Sequence, residues 1–465
     1  MITFLICLAL LIVAYFTYGK LMEKAIGIDP SAPVPSKTLA DGLDYVPMPI
    51  WKTFLIQFLN IAGLGPIFGA ILGAAYGPVA FIWITVGGIF LGAVQDFAAG
   101  VISLRNDGIN FPDVVGKYLG ISVKHTMRIF TLILMILVGT VFMSGPADVL
   151  SGYTGLDKTV WLIIIFAYYM LATLLPIDKI IGKIYPIFGI VLFLMAILML
   201  YVIFSHGHYA NIPELSFENY RPDKESFPII PTLLITIACG AISGFHTTQS
   251  PLMARCMNSE KECKPVFYGA MISESIVALI WAAIAMSFFG GVDGLNEVIV
   301  ETKGSAAAII DKITSTSLGT FGIMLVILGV VFAPISTGDT ALRMARLIGA
   351  DYIKTDQKKV MNRVILSIPI FIVAFALTQI NFDIIWRYFA WFNQVLAAFA
   401  LWAICTYMRQ SKYLMLFLIP AVIMTFVVTL FILISNQGFE LNYNISLAIA
   451  LAVDITITAL FFKKA

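Results

Sequence analysis

Residues 51–76 form an apolar segment long enough to cross a bilayer, for which roughly 20 residues suffice. Its middle carries Gly63, Gly65 and Pro66. Proline removes a backbone donor and clashes with the preceding turn, while glycine tolerates non-helical dihedral angles. Inside lipid, each freed N–H or C=O group is costly unless protein or a cavity satisfies it. The segment therefore predicts a helix that is broken at membrane depth and forms the wall of a binding site.

A second apolar segment, at residues 229–250, is interrupted in the same way. Its middle reads Cys239-Gly-Ala-Ile-Ser-Gly-Phe-His-Thr-Thr-Gln-Ser-Pro251. Two broken segments at corresponding places in two halves of a chain are typical of secondary transporters. The alternative for either segment alone is that its glycines only allow helices to pack closely.

The composition fits an all-α integral membrane protein, because 60% of the 465 residues are hydrophobic and 12% are charged. Apolar segments of spanning length predict thirteen transmembrane helices. They lie at residues 2–18, 51–76, 79–103, 126–149, 159–175, 184–204, 229–250, 265–289, 318–339, 361–379, 383–408, 412–434 and 443–462. The polar, acidic stretches 206–228 and 290–317 between them are candidate lids.

The orientation follows from the basic residues. An N-terminus outside and a C-terminus in the cytoplasm place most of the 29 Lys and Arg residues inside, as the positive-inside rule requires. The broken helices are the second and the seventh, so two five-helix units run in opposite senses. We expect a leading helix with a cytoplasmic loop (1–50), two repeats (51–228 and 229–408) and two trailing helices (409–465). This architecture resembles the LeuT-like fold of the amino acid–polyamine–cation transporter superfamily.

The sequence contains no motif that indicates nucleic-acid binding, a metal site or an enzyme. Basic residues do not cluster with aromatic ones, so no nucleic-acid partner is expected. The five cysteines include no CxxC pair and are interpreted as small apolar fillers, so we predict no metal, cofactor or disulfide framework. No HExxH or GxSxG motif points to an enzyme, and we predict no catalytic residues. The expected partners are the lipid bilayer, a small-molecule substrate and a coupling ion, H⁺ or Na⁺.

The substrate site is expected between the two breaks. Pro66 is suited to open the half-helix after the first break, and Thr247 or Thr248 to cap the half-helix after the second. Helix N-termini attract anions, and no Lys or Arg lies near mid-membrane, so these termini would hold a substrate carboxylate. The predicted substrate-binding residues are Gly63, Gly65, Pro66, Gly244, His246, Thr247, Thr248, Gln249 and Asn393.

Three residues in apolar segments can carry a proton, namely Asp96, His246 and Glu274. Ionisable groups at membrane depth are functional by default, because burying an unpaired charge there is expensive. Each has a structural alternative. Asp96 could pair with Arg105 near the end of its helix, Glu274 could be a hydrogen-bonded structural acid, and His246 could be a satisfied core histidine.

Six short motifs occur in order along nearly the whole chain and together resemble the carbon starvation protein A (CstA) family of bacterial inner-membrane proteins. They are Asp41-Gly-Leu-Asp-Tyr-Val-Pro47, Ile61-Ala-Gly-Leu-Gly-Pro66, Gly92-Ala-Val-Gln-Asp96, Ser243-Gly-Phe-His246, Thr337-Gly-Asp-Thr340 and Trp386-Arg-Tyr-Phe-Ala-Trp-Phe-Asn-Gln394. The resemblance implies a proton- or cation-coupled importer of peptides or pyruvate that serves when carbon runs short. This chain departs from many members at Ile56-Gln57, where they carry a His-His pair, and at Ala70, where they carry proline.

The LeuT-like resemblance also implies a cation site at Ser336, Thr337 and Asp339. Sodium-coupled relatives of that fold use hydroxyls at this place together with carbonyls of the first broken helix. Such oxygens suit a hard cation, but hydroxyls also serve helix packing. The sequence therefore leaves proton and sodium coupling open and favours the proton.

Overall fold

A computed structural model describes residues 1–41, 45–174, 177–355 and 359–463, and the side chains of all of these except 173–185, 351 and 383. Part of the first CstA-like motif, residues 42–44, lies outside these ranges. The described residues form helices and connecting segments without any β-strand. The α-helices are α1 Ile2–Phe16, α2 Tyr18–Ile26, α3 Pro35–Thr38, α4 Ile50–Ile61, α5 Ala70–Ala74, α6 Val79–Gly87, α7 Ala93–Arg105, α8 Phe111–Leu119, α9 Ile121–Thr154, α10 Lys158–Leu174, α11 Ile177–Ser205, α12 Leu234–Thr236, α13 Gly244–Ala254, α14 Gly269–Phe288, α15 Val292–Glu301, α16 Ala306–Val326, α17 Ala333–Ile353, α18 Val360–Leu377, α19 Phe382–Tyr407, α20 Met415–Ile434 and α21 Tyr443–Lys463. Single π-helical turns lie at Gly65–Gly69, Gly88–Gly92, Ile229–Leu233, Lys264–Tyr268 and Ile327–Phe332, and 3₁₀ turns at His208–Asn211 and Glu260–Glu262.

Many of these helices, alone or continuous with a neighbouring helix, form stretches that are long and apolar enough to span a membrane. Within the described ranges there are ten such spans, and α4 with the following segment Gly65–Ala74 makes an eleventh that is bent by 53°. Lys158–Ala172 is a shorter apolar helix, and the chain from Ile229 to Ala254 is a broken one. The protein is thus an all-helical, multi-pass membrane protein, while the number of thirteen crossings stays a prediction.

Several helices run past the segments that hydropathy predicts. α2 carries the first span on to Ile26, into the stretch expected as a cytoplasmic loop. The candidate lid at 290–317 is itself helical, because α15 and the start of α16 occupy it. Ser305 begins α16 as its N-cap and accepts a hydrogen bond from the amide of Ala308. Hydropathy misses such extensions because polar residues with good helix propensity continue a helix beyond the lipid.

The two broken segments lie at the centre of the bundle. α4 packs against α11, α13 and α14, and α13 also packs against α7 and α19. α14 contacts both halves of the first broken segment, and α9 lies along α17 beside them. Apolar side chains fill this interior, yet polar ones are buried among them at positions 57, 60, 95, 96, 246–250, 274, 336, 337, 339, 393 and 394. The interior of the bundle therefore contains polar and ionisable side chains that hydrophobic packing alone would not favour.

Candidate functional site

The first break lies where the sequence predicts it. α4 ends at Ile61, and the helix resumes at Gly65 with Pro66 in its first turn. The amides of Ile67 and Phe68 donate to the carbonyl of Leu64, at 3.2 and 2.8 Å. Proline tolerates this position because the first-turn amides of a helix have no partner within the helix. Pro66 therefore opens the second half of the helix, as expected.

The second break differs from its prediction in one respect. α12 ends at Thr236 and α13 begins at Gly244, so the N-cap is Ser243 and neither Thr247 nor Thr248. The two threonines lie within the first turns of α13, where their hydroxyls donate to carbonyls three residues earlier at 2.7 and 2.6 Å. Their expected role as caps is wrong, because the helix starts earlier than their hydroxyls suggest.

The two breaks contact each other directly. A methyl group added to Gly65 would lie 2.2 Å from Cβ of Cys239, and one added to Gly240 would lie 3.8 Å from Cα of Pro66. A methyl group on Gly63 would lie 2.7 Å from the ring of Phe142. One on Gly244 would lie 2.3 Å from the carbonyl oxygen of Asn393. The predicted glycines thus allow close packing of neighbouring segments, which was the alternative interpretation of each glycine-rich segment. This close packing also brings the two breaks into contact.

Polar side chains from three neighbouring helices satisfy the backbone of the second break. Trp83 Nε1 donates to the carbonyl of Ile237 (3.1 Å), Gln95 Nε2 to that of Ser243 (2.6 Å) and Gln394 Nε2 to that of Ile242 (2.9 Å). These bonds meet the requirement that irregular backbone at membrane depth be satisfied by protein. Neighbouring helices therefore stabilise the non-helical backbone of the second break.

Asn393 of α19 caps α13 from outside the helix. Its Oδ1 accepts from the amide of Phe245 at 2.7 Å and from the hydroxyl of Ser243 at 3.0 Å. A side-chain oxygen that accepts from a first-turn amide takes the part of an N-cap. The N-terminus of α13, a predicted anion site, is therefore capped by Asn393 in this conformation.

Three ionisable side chains meet beside this helix start. His246 Nδ1 lies 2.8 Å from Asp96 Oδ2, and His246 Nε2 lies 3.3 Å from Glu274 Oε2. All three side chains are 0% exposed. They come from α13, α7 and α14, so the cluster forms only when these helices pack. The structure thus brings together the three predicted proton carriers, which we call the buried triad.

The charge of the buried triad depends on its protons. A protonated imidazole has an N–H donor on each nitrogen. Here Nδ1 lies within hydrogen-bond distance of Asp96, while Nε2 faces Glu274 at an ion-pair distance without a hydrogen bond among the described residues. An imidazolium with two carboxylates carries one net negative charge, and one further proton makes the cluster neutral. Because a net buried charge is costly, the sealed triad favours the form that holds this proton. The triad therefore has the chemistry of a proton carrier, and its role in coupling stays a prediction.

Cys239 adds a third type of metal-ligating group, a thiol, to the imidazole and the carboxylates of this region. One ligand atom from each of Cys239, His246 and Glu274 lies within 4.8 Å of the others. Thiolate, imidazole and carboxylate groups are ligands that zinc accepts. These three side chains have the ligand types of a metal site, and the absence of a metal stays a prediction.

Asp96 does not pair with Arg105, its structural alternative in the sequence. Arg105 instead forms a bidentate ion pair with Glu260, at 2.7 and 2.8 Å. It also donates to the hydroxyl of Tyr407 and to the carbonyl of Gly27, at 2.8 and 2.7 Å. Arg105 therefore joins the ends of α2, α7 and α19 to the turn after α13.

The three residues of the predicted cation site are buried on α17. Thr337 Oγ1 lies 3.4 Å from the carbonyl of Leu59, beside the first break, and Ser336 Oγ donates to the carbonyl of Ala333. Asp339 faces Arg343 one turn later, at 3.6 Å. Thr337 thus reaches the broken helix, while Asp339 is held by an ion pair.

Sequence reasoning overlooked several polar residues of this interior. Trp83, Gln95 and Cys239 contact the second break or the triad, and Gln57 and Asn60 are buried on α4. An amide within an apolar segment is a usable signal, because polar side chains there face the interior of the bundle. The partner of each amide, by contrast, depends on the tertiary packing.

Solved structures resemble this fold at low sequence identity. One is a Na⁺-coupled sialic acid symporter in a substrate-bound outward-open state, with a TM-score of 0.56, 14% identity and 96% of each chain covered. Another is MhsT in complex with L-phenylalanine, with a TM-score of 0.57, 13% identity, and 86% of this chain and 98% of that one covered. These likenesses concern the fold alone and confirm its LeuT-like class. The five-plus-five order of helices stays a prediction.

Several bacterial proteins resemble this chain in sequence. A Haemophilus influenzae protein described as an uncharacterized membrane protein is 42% identical over 349 residues, which are 64% of this chain and 94% of that protein. Peptide transporter CstA of Bacillus subtilis is 25% identical, with 59% of this chain and 56% of the relative covered. Pyruvate/proton symporter BtsT of Escherichia coli is 26% identical, with 59% and 47% covered. The match therefore spans about half the length of the two named transporters.

The family model described as carbon starvation protein CstA matches residues 1–147 and 145–318, which is more than half of the 465 residues. The chain therefore belongs to the CstA family.

Proposed function

We propose that this membrane transporter is a secondary active importer that couples the entry of a small organic solute to the entry of protons. The observation that carries the proposal is the buried triad. His246 lies between two fully buried carboxylates, at 2.8 and 3.3 Å, and directly beside the start of α13. A proton that binds here neutralises the cluster and favours the sealed conformation. Opening the triad to water on the other side releases the proton and completes the transport step.

The proposed substrates are short peptides or small carboxylates such as pyruvate. A carboxylate would bind at the half-helix start behind Pro66, or at α13 in exchange for the oxygen of Asn393. A peptide also brings an ammonium group, for which Glu274 offers a fully buried carboxylate. The names of these relatives, a peptide transporter and a pyruvate/proton symporter, support both substrate classes.

The proposed topology follows the sequence prediction. A leading helix (1–50), inverted repeats (51–228 and 229–408) and two trailing helices (409–465) would cross the bacterial plasma membrane thirteen times. The N-terminus would lie outside and the C-terminus in the cytoplasm, because most basic residues are then inside. The ion pair of Arg105 with Glu260 would lie on the cytoplasmic side.

Sodium coupling is the second candidate. One contact favours it, the 3.4 Å approach of Thr337 Oγ1 to the carbonyl of Leu59 beside the first break. A hydroxyl and a carbonyl suit a hard cation. In the proposed proton mechanism, Ser336 and Thr337 would instead serve the packing of α17.

The test is uptake of labelled pyruvate and of labelled dialanine into proteoliposomes that contain the purified protein. Under an inward proton gradient without sodium, we expect at least one of them to accumulate against its own gradient. A channel would only equilibrate the solute, and an enzyme would convert it chemically. The proton proposal is refuted if accumulation requires sodium at constant pH and is lost in Ser336→Ala or Thr337→Ala while Glu274→Gln and His246→Ala still concentrate the solute.

A further inference from the structure

Helix α4 carries two buried side-chain amides that have no hydrogen-bond partner in the described part of the chain. Gln57 and Asn60 are 0% and 1% exposed, and among the described residues neither the nitrogen nor the oxygen of either amide has a hydrogen-bond partner. Native proteins satisfy the large majority of buried polar atoms. Four such atoms lie on one turn of α4, where a polar ligand or an ordered water would complete their hydrogen bonds.

The two amides share a face that is separate from the packing face of α4. At about 100° per residue, Gln57 and Asn60 lie about 60° apart and roughly 110° from the face of Phe54 and Phe58. Those two rings stack on Phe193 of α11, with centroids 6.1 and 4.1 Å away. The amide face is thus turned away from α11. Three other helices that pack against α4 carry residues of the candidate site. They are α13 with His246, α14 with Glu274 and α17 with Thr337.

A third amide lies at a matching place on α13. Gln249 is 0% exposed, its Nε2 donates to Thr248 Oγ1 at 3.0 Å, and its Oε1 has no partner among the described residues. Gln57 lies about five residues before the first break, and Gln249 lies about five residues after the start of α13 at the second break. Each spacing corresponds to roughly 7 Å of helix. α4 and α13 pack against each other, and from the equal spacing to the breaks we infer that the two amides lie at similar depth.

We propose that Gln57 and Asn60 are specificity-determining residues that contact the substrate between the breaks and the cytoplasm, an inference that rests on the proposed function. A primary amide offers donors and an acceptor at once. A peptide unit satisfies both kinds of atom, because its N–H donates to an amide oxygen and its C=O accepts from an amide nitrogen. Pyruvate has acceptors only and leaves the amide oxygens of Gln57 and Asn60 without a donor. The ligand that fits these residues is therefore a short peptide.

The test compares Gln57→Met and Asn60→Leu with the wild type in two measurements. Neither variant removes a structural hydrogen bond, so we expect unchanged or higher thermal stability of the purified protein without substrate. We expect the KM for dialanine uptake to rise about tenfold, as the loss of one hydrogen bond predicts, and pyruvate uptake to change less. Gln379→Met is the matched control, because Gln379 is exposed at the end of α18, and its uptake should equal that of the wild type.

Two results would overturn the inference. Lower thermal stability in both variants would show that the amides support the fold, and a wild-type KM for dialanine would show that they do not contact it. A wild type that accumulates no solute would refute the proposed function instead. The inference is then decided by binding: dialanine should raise the unfolding temperature of the wild type more than that of either variant, and equal shifts would refute it.

Discussion

Replacing Glu260 by glutamine should loosen the end of the bundle at which Arg105 joins four segments. Glu260 is 1% exposed and accepts from Arg105 Nε and from the amide of Asp29, at 2.7 and 2.9 Å. Glutamine keeps the shape but loses the charge and one of the two acceptor oxygens that bind the guanidinium. The turn after α13 should therefore open more often.

The size of the effect follows from the geometry of the pair. Removing one partner of a buried ion pair costs about 3–5 kcal/mol. Arg105 is 24% exposed and keeps its bonds to Gly27 and Tyr407, so water and these groups compensate in part. We expect a remaining cost of about 2 kcal/mol, which corresponds to a roughly 30-fold larger open population.

Cys263 is a natural reporter of this opening, because it is 0% exposed and directly follows the turn of Glu260. The assay is the rate at which a maleimide labels Cys263 in detergent-purified protein, read at this residue by peptide mass spectrometry. Glu260→Gln should accelerate labelling roughly 30-fold. Glu301→Gln, which breaks the exposed pair with Lys312, should label like the wild type. Equal rates for Glu260→Gln and the wild type would refute the reasoning.

Two further predictions concern the breaks. Asn393→Ala removes the cap of α13, leaves the amide of Phe245 without its partner and should cost about 1–2 kcal/mol of stability. Asn444→Ala, at an exposed position in the first turn of α21, should cost less; equal losses in denaturant unfolding would contradict the capping role. Gly65→Ala places a methyl group 2.2 Å from Cys239 and should lower both thermal stability and uptake. Gly152→Ala is the control, because no neighbouring atom of the described residues lies within 4 Å of the added methyl group, and it should change neither property. A Gly65→Ala protein as stable as this control would contradict the contact between the breaks.

Local features of the sequence predicted the broken helices well. Gly63, Gly65 and Pro66 each weaken a regular helix locally, and their concentration within four residues predicts the first break. The pair Gly145-Pro146 lies inside the continuous helix α9, so one glycine and one proline do not by themselves break a helix. The helix start after the second break was placed too late, because its cap comes from Asn393 on another helix. Two threonine hydroxyls are a plausible local cap, and only the packing of α19 shows that they are not used.

The candidate site was predictable in its residues but not in its geometry. Ionisable groups in apolar segments identified Asp96, His246 and Glu274 one by one, because burial of such groups needs a reason. Their convergence depends on how α7, α13 and α14 pack, which periodicity does not encode. For the same reason the sequence could not separate Asp96 from its alternative partner Arg105, which the structure pairs with Glu260.

The central claim, that the buried triad carries the coupling proton, is tested most directly by the lumenal pH of sodium-free proteoliposomes during solute uptake. The wild type should acidify the lumen in proportion to the solute that enters. Glu274→Gln should lose this acidification, while Glu297→Gln, at an exposed carboxylate of α15, should keep it. Uptake by the wild type without acidification, or full acidification and uptake in Glu274→Gln, would contradict the claim.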